Sequence, residues 1–337
     1  MALDDFDYYL PEELIAQQPT PDRDGARMLV LRREAATWED RIFRDLPSYL
    51  CSGDCLVLND SRVFPSRLFG HRPGHIGRIE VFMLHALSTG SRDWLALARP
   101  GRKVRVGDVI AFAPNLSAEV MARGEMGERT LRFLGGADIH EALEEIGHVP
   151  LPPYIKRPDE ASDRTRYQTV FARERGSVAA PTAGLHFTDE MLGQAGASGA
   201  AIARVTLHVG LGTFQPVSEE TVARGRLHSE RYSVDPAAWQ TIQSAKRVVA
   251  VGTTAVRTIE TVAATGRLSG ETDIFIQPGF EFQRTGALLT NFHLPRTSLM
   301  MLVSALAGRE LTLAAYRHAV TSRYRFFSYG DCMLILP

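Results

Sequence analysis

Five short segments combine residue types that can do chemistry. Gly252-Thr-Thr-Ala-Val-Arg257 follows the apolar run Val248–Val251 and opens a helical pattern. Backbone N–H groups and hydroxyls at such a helix start can hold a carboxylate or phosphate; a turn capped by threonine explains the same residues. His208-Val-Gly-Leu-Gly-Thr-Phe214 ends a strand in two glycines, which admit a ligand close to the backbone or simply permit a turn. Ser177-Val-Ala-Ala-Pro-Thr-Ala-Gly-Leu-His-Phe187 is a run of small residues closing on His186 and Phe187, either a pocket wall or tight strand packing. Thr290-Asn-Phe-His-Leu-Pro295 and Tyr324-Arg-Phe-Phe-Ser-Tyr-Gly-Asp331 set Asn291, His293 and Asp331 among aromatics. The three histidines are candidates for proton transfer, since imidazole titrates nearest neutral pH. Each is equally explained as a satisfied core histidine.

Other chemistries are excluded by what is missing. Cys51 and Cys55 have no second Cys/His pair at ligand spacing and H-E-x-x-H is absent, so no metal site is expected. There is no G-x-S-x-G, no Walker A loop and no G-x-G-x-x-G after a strand, which removes serine hydrolases, P-loop enzymes and Rossmann dinucleotide sites. Three cysteines fit a reducing compartment. No run of 18 apolar residues exists and the start, MALDDFDYYLPEELIAQ, is acidic, so a cytoplasmic protein without membrane span, signal or transit peptide is expected.

The elements that must position these residues follow from periodicity. LPEELIA predicts a short helix, Met28–Leu31 a strand, and Gly53–Leu58 a buried strand that ends in Asn59-Asp60-Ser61-Arg62. Strand ends of this kind are where α/β proteins place sites. Residues 61–139 differ: RIEVFMLHAL, DWLALARP, VRVGDVIAFAP, LSAEVMARG and ERTLRFLGG alternate with glycine turns, predicting an antiparallel barrel of five or six strands. From Ile139 the α/β alternation returns, with an extended link at Pro150–Ile155, helices over 235–246, 253–264 and 296–306, and a closing strand CMLILP. The fold class expected is therefore α/β: one discontinuous α/β domain, residues 1–60 and 140–337, with an all-β barrel domain, residues 61–139, inserted.

Charge is uneven across this plan. The chain of 337 residues carries 38 basic and 39 acidic groups, a formal −1 that taken whole argues against a nucleic-acid partner. Residues 61–107, however, hold nine basic side chains against Glu80 and Asp93, leaving +7 there and −8 elsewhere. A basic β module of this kind is a phosphate-contacting surface or a solvated barrel exterior.

Taken together the segments resemble the S-adenosylmethionine:tRNA ribosyltransferase-isomerase family of queuosine biosynthesis. The resemblance runs from Phe6–Pro19 through Leu58-Asn-Asp-Ser-Arg-Val63, Leu151-Pro-Pro-Tyr-Ile-Lys156 and Tyr167–Val170. It continues through the Gly176–Phe187 run, Thr206–Phe214, Val251–Thr254 and Thr290–Pro295 to Phe327-Ser-Tyr-Gly-Asp331. It implies a barrel inserted in an α/β domain. It also implies transfer of the ribosyl part of S-adenosylmethionine, as co-substrate, to 7-aminomethyl-7-deazaguanine at the wobble position of tRNA. Epoxyqueuosine forms, and adenine and methionine leave. Such chemistry needs a base, a pocket for a sulfonium, an anion site and basic surface for RNA. His186, His208, His293 and Asp331 are assigned to the catalytic set. Asn59, Asp60, Arg62, Phe187, Phe214, Gly252, Thr253, Thr254 and Tyr329 are assigned to the co-substrate. Arg72, Arg78, Arg102, Lys103, Lys156 and Arg157 are assigned to tRNA, and a monomer is expected. A methyltransferase would carry a glycine-rich loop after its first strand, and a non-catalytic RNA-binding protein would leave the histidine motifs unexplained.

Overall fold

The computed structural model describes residues 2–88, 90–136, 138–210 and 218–337. Three strands lead the chain: β1 (Arg27–Arg32), β2 (Thr37–Ile42) and β3 (Asp54–Asn59). The short β4 (Ser61–Val63) precedes six further strands: β5 (Arg67–His71), β6 (Arg78–Ala86), β7 (Asp93–Arg99), β8 (Val109–Ala113), β9 (Leu116–Arg123) and β10 (Glu128–Leu134). Helices α1 (Ile139–Ile146) and α2 (Asp163–Arg166), strand β11 (Glu174–Ser177), α3 (Asp189–Ala197) and β12 (Ala201–Leu207) follow. Next come α4 (Glu219–Arg224), β13 (Arg226–Val234), α5 (Pro236–Ser244), β14 (Arg247–Val251) and α6 (Thr253–Thr265). The chain closes with β15 (Ser269–Ile274), β16 (Thr285–Asn291), α7 (Ser298–Ala307), α8 (Arg309–Thr321) and β17 (Cys332–Leu336).

Nine strands form one mixed sheet in the order β15-β13-β12-β3-β14-β16-β17-β1-β2, and β5–β10 close into a six-stranded barrel. The sheet takes strands from both sides of the barrel in sequence, so the fold is α/β with a β-barrel inserted. β12, β3, β14 and β16 run parallel. Parallel strands are covered on both faces and read as unbroken apolar runs. In β3, Cys55 and Val57 face a layer with Ile242, Ile259 and Met300, while Leu56 and Leu58 face Phe43, Phe187 and Met191. The barrel has its own interior, closed at one end by Phe64 and by Ile139 and Leu143 of α1. No single helix among the described residues is long and apolar enough to cross a membrane.

Two local expectations are corrected, and two strands are added. The LPEELIA segment is a single 3₁₀ turn, Glu12–Leu14, because Ile15 and Ala16 pair with Phe326 and tertiary pairing overrides helix propensity. Pro150–Ile155 turns rather than extends, with Ile155 N–H donating to Pro152 O at 3.0 Å. β2 and β13 were not legible, since polar Thr37–Ile42 and Arg226–Val234 leave much of their length exposed.

Candidate active site

A cleft opens where the parallel strands β12, β14 and β16 end. Its empty volume, counted to the open mouth, is about 890 Å³. The carboxyl edge of a parallel sheet is the place where α/β proteins bind ligands.

Two helix starts meet in this cleft. Gly252, Thr253 and Thr254 at the head of α6 form one wall, and Thr297, Ser298 and Leu299 at the head of α7 another. First-turn N–H groups have no partner inside their own helix, so both ends present donors and positive dipole to an anion. Gly252 holds φ 86° and ψ 154°, a conformation essentially closed to other residues. An aromatic wall completes the cleft: Tyr154 stacks on Phe327 with centroids 4.5 Å apart, and Tyr154 Oη lies 2.6 Å from Ser328 Oγ. Burial pushes the Tyr154 phenol up to about 12, so it stays neutral. Phe327 sits at φ 69°, strained for a bulky residue. Its N–H donates to Phe292 O at 3.2 Å and its carbonyl accepts from Asn291 Nδ2 at 3.3 Å.

The three histidines separate by depth. His293 lines the cleft, its Nε2 lies 2.8 Å from Thr290 Oγ1, and its main chain is tied to Tyr316 and Tyr8 hydroxyls. Burial pulls its pKa down to about 3. His186 stands one layer behind, 3.4 Å from Asn291 Nδ2 and against Phe43, and burial pulls it to about 4. Thr182 Oγ1 donates to Asn291 Oδ1 at 2.8 Å, so Asn291 reaches the cleft from both neighbours. His208 is absent from the lining; its buried Nδ1 has no hydrogen-bond partner among the described residues, and burial, then Arg231, lower its pKa.

Most of the other expected site residues hold the walls rather than form them. Asn59 Nδ2 donates to Leu207 O (3.1 Å) and Thr254 Oγ1 (3.0 Å), and its Oδ1 accepts from Ser61 N–H (3.1 Å) and Leu207 N–H (3.0 Å). Asp60 accepts from Thr206 Oγ1 at 2.7 Å and faces Arg173 at 3.4 Å; burial pushes its carboxyl up. Asp331 accepts from the N–H groups of Arg27 (2.9 Å) and Arg325 (2.8 Å), clamping the loop that carries Phe327. Phe187 is core, packed edge-on to Phe43. Tyr329 donates to Asp163 at 2.7 Å. Arg62 lines a separate crevice with Phe64, Asp163 and Gln168. Phe214 lies outside the described residues.

Of the residues assigned to RNA, Arg72 pairs with Asp108 at 3.5 Å and Arg78 lies over the Phe69 ring at 3.6 Å. Arg102 and Lys103 are exposed on the barrel. Lys156 pairs with Glu12, and Arg157 grips Asp163 with bonds of 2.7 and 2.9 Å. Sequence reasoning missed Tyr154, Tyr167, Phe327, Ser328, Thr297 and Ser298 as cleft residues. Tyr154 and Phe327 lay within the motifs, but their stacking joins positions far apart in the chain.

Fold and site define an α/β enzyme whose ligand cleft lies at a parallel sheet's carboxyl edge and whose sheet is interrupted in sequence by a β-barrel. A profile of the queuosine biosynthesis protein family matches residues 3–335, and the chain belongs to that family. The S-adenosylmethionine:tRNA ribosyltransferase-isomerase of Solibacter usitatus is 62% identical over the whole of both chains, and that of Moorella thermoacetica 51%. A crystal structure of S-adenosylmethionine tRNA ribosyltransferase from Thermotoga maritima is 39% identical, covers 98% of this chain and 100% of that one, and superposes with TM-score 0.57.

Proposed function

We propose that this chain is an S-adenosylmethionine:tRNA ribosyltransferase-isomerase. It moves and rearranges the ribosyl group of S-adenosylmethionine onto 7-aminomethyl-7-deazaguanine at the tRNA wobble position, giving epoxyqueuosine with release of adenine and methionine. The observation that carries this reading is the meeting of His293, two helix starts and an aromatic pair in one cleft, in a chain of this family.

The sulfonium of the co-substrate activates its ribosyl group. The α6 start, Gly252 to Thr254, holds the methionine carboxylate, because open N–H donors and helix dipole favour an anion there. Tyr154 and Phe327 offer ring faces to the sulfonium. His293 holds and moves the proton at the reacting carbon, its ring steadied by Thr290 Oγ1. With a pKa near 3 in the free protein it is neutral and able to accept; a bound carboxylate raises it toward working pH. His186 acts through Asn291, and Asp331 through the Phe327 loop. The barrel's basic face meets RNA phosphates, and the enzyme works in the cytoplasm as a monomer.

Incubation with tRNA and S-adenosylmethionine labelled in the ribosyl carbons tests this directly. Ribosyl label should enter tRNA with stoichiometric adenine release, while methyl label should not; methyl transfer without adenine would overturn the reading. His293→Ala should lower turnover about 10²- to 10⁴-fold with tRNA binding retained, and near wild-type turnover would remove it from the chemistry.

A further inference from the structure

We infer that the barrel end farthest from the sheet is a second RNA contact surface, gripping tRNA phosphates outside the anticodon stem-loop. This rests on the tRNA reading above. β7 begins where Trp94 meets Phe64 (6.0 Å) and His140 of α1 (5.5 Å), so that end abuts the body of the protein. β7 ends at Arg99, six residues after Asp93, roughly 20 Å away by strand rise.

Strand register gathers cations at the far end: Arg99 lies opposite Glu80, His71 opposite Arg78, and Arg123 opposite Arg129. Arg99, Arg102, Lys103, Arg105 and Arg123 are exposed there. Among the described residues no carboxylate reaches their side chains at ion-pair distance, whereas Arg67, Arg72 and Arg132 are held by Glu80, Asp108 and Asp93. The acids of this end are few: Glu80, opposite Arg99, is taken by Arg67, Asp108 already serves Arg72 and the Arg105 N–H, and Glu125 and Glu128 sit on the β9–β10 turn.

The loop is also built to stay in place. Arg129 is only 1% exposed. Its guanidinium donates to the carbonyls of Gly101 (2.5 Å), Val104 (3.1 and 3.0 Å) and Glu128 (2.6 Å), with no acidic partner at ion-pair distance among the described residues. A buried cation balanced only by carbonyl dipoles is costly. Here it fixes Gly101–Val104 from beneath, turns Arg102 and Lys103 outward, and adds its own charge under them. A fixed set of unpaired cations suits a ladder of phosphates, whose displaced counterions drive binding.

The test compares full-length tRNA with its isolated anticodon stem-loop, bound to the wild type and to Arg102→Ala/Lys103→Ala/Arg105→Ala. The wild type should prefer the full-length RNA, and in the variant the two affinities should converge. With three phosphate contacts gone, the fall in full-length affinity between 50 and 200 mM salt should be about 20- to 40-fold smaller in the variant. Wild-type affinity and salt dependence in the variant would overturn the inference, as would equal weakening toward both RNAs. Binding to phosphatidylserine vesicles that the variant loses, with tRNA binding unchanged, would make this end a membrane surface instead. Failure of the tRNA reading shows separately, as wild-type enzyme that releases no adenine with tRNA.

Discussion

Asn59 spends all its polar atoms on the scaffold. Two donors and two accepted bonds tie the tip of β3 to the end of β12, to Ser61 and to Thr254, leaving nothing for a ligand. Its influence on the co-substrate therefore passes through Thr254, which lines the cleft. Asn59→Asp keeps the shape but sets an oxygen against the Leu207 carbonyl, acceptor to acceptor, while the Thr254 hydroxyl turns to donate. Leaving that buried carbonyl unpaired costs about 1–3 kcal/mol. The expected result is a lower urea midpoint with unchanged m, and a raised KM for S-adenosylmethionine. An Asp variant with wild-type midpoint and KM would show that these bonds carry no weight. A polar residue at a strand end was legible in sequence as a site candidate. Its role was not, because the partner Leu207 lies 148 residues away and only the parallel pairing of β3 with β12 brings them together.

At the scale of elements, α6 does the most with local signals. Its apolar spacing and preceding strand are readable in the sequence, whereas the start of α7 lies at Ser298 rather than Arg296, because Thr297 caps it by accepting from Met300 N–H (3.3 Å). What sequence did not disclose is that α6 and α7 aim their starts at one cleft, a property of sheet order rather than of either helix. β13 escaped notice for a related reason: its alternation places Glu230, Tyr232 and Val234 inward among exposed polar neighbours, a pattern too polar to announce a strand. The turn into α6 depends on Gly252. A Cβ there would have room, its nearest neighbours being Ala183 Cβ at 3.6 Å and Thr254 Oγ1 at 3.7 Å, so the cost of Gly252→Ala is conformational, about 1–3 kcal/mol. The backbone escapes that strain by rotating the Thr253 and Thr254 N–H groups off target. KM for S-adenosylmethionine should rise more than kcat falls, with tRNA affinity kept. A normal KM would place the carboxylate elsewhere, with the α7 start as the next site to test.

For the whole molecule, burial decides how the fold responds to pH. Near-zero net charge predicts little on its own, but burial holds His186, behind the cleft, and His293, in its wall, as neutral imidazoles with pKa about 4 and about 3, and His208 is lowered as well. The sequence showed three histidines near strand ends; their depth came only with the layers packed over them. In the unfolded chain each returns to about 6.5. A folded pKa below the unfolded one means the unfolded state binds the proton first as pH falls. The stabilising contribution is therefore complete above about pH 6.5 and is lost on acidification until the folded pKa is reached. For each such histidine the loss approaches about 1.4 kcal/mol per pH unit. Urea unfolding from about pH 7 down to about pH 4.5 should thus show stability falling with a slope near two protons, before most carboxylates titrate. His293→Gln, neutral throughout, should shed one of those protons and flatten the slope by about 1.4 kcal/mol per unit, whatever its stability at pH 7. A wild-type slope in that variant would mean that His293 takes up its proton at the same pH in the folded and unfolded chain, and that burial does not lower it.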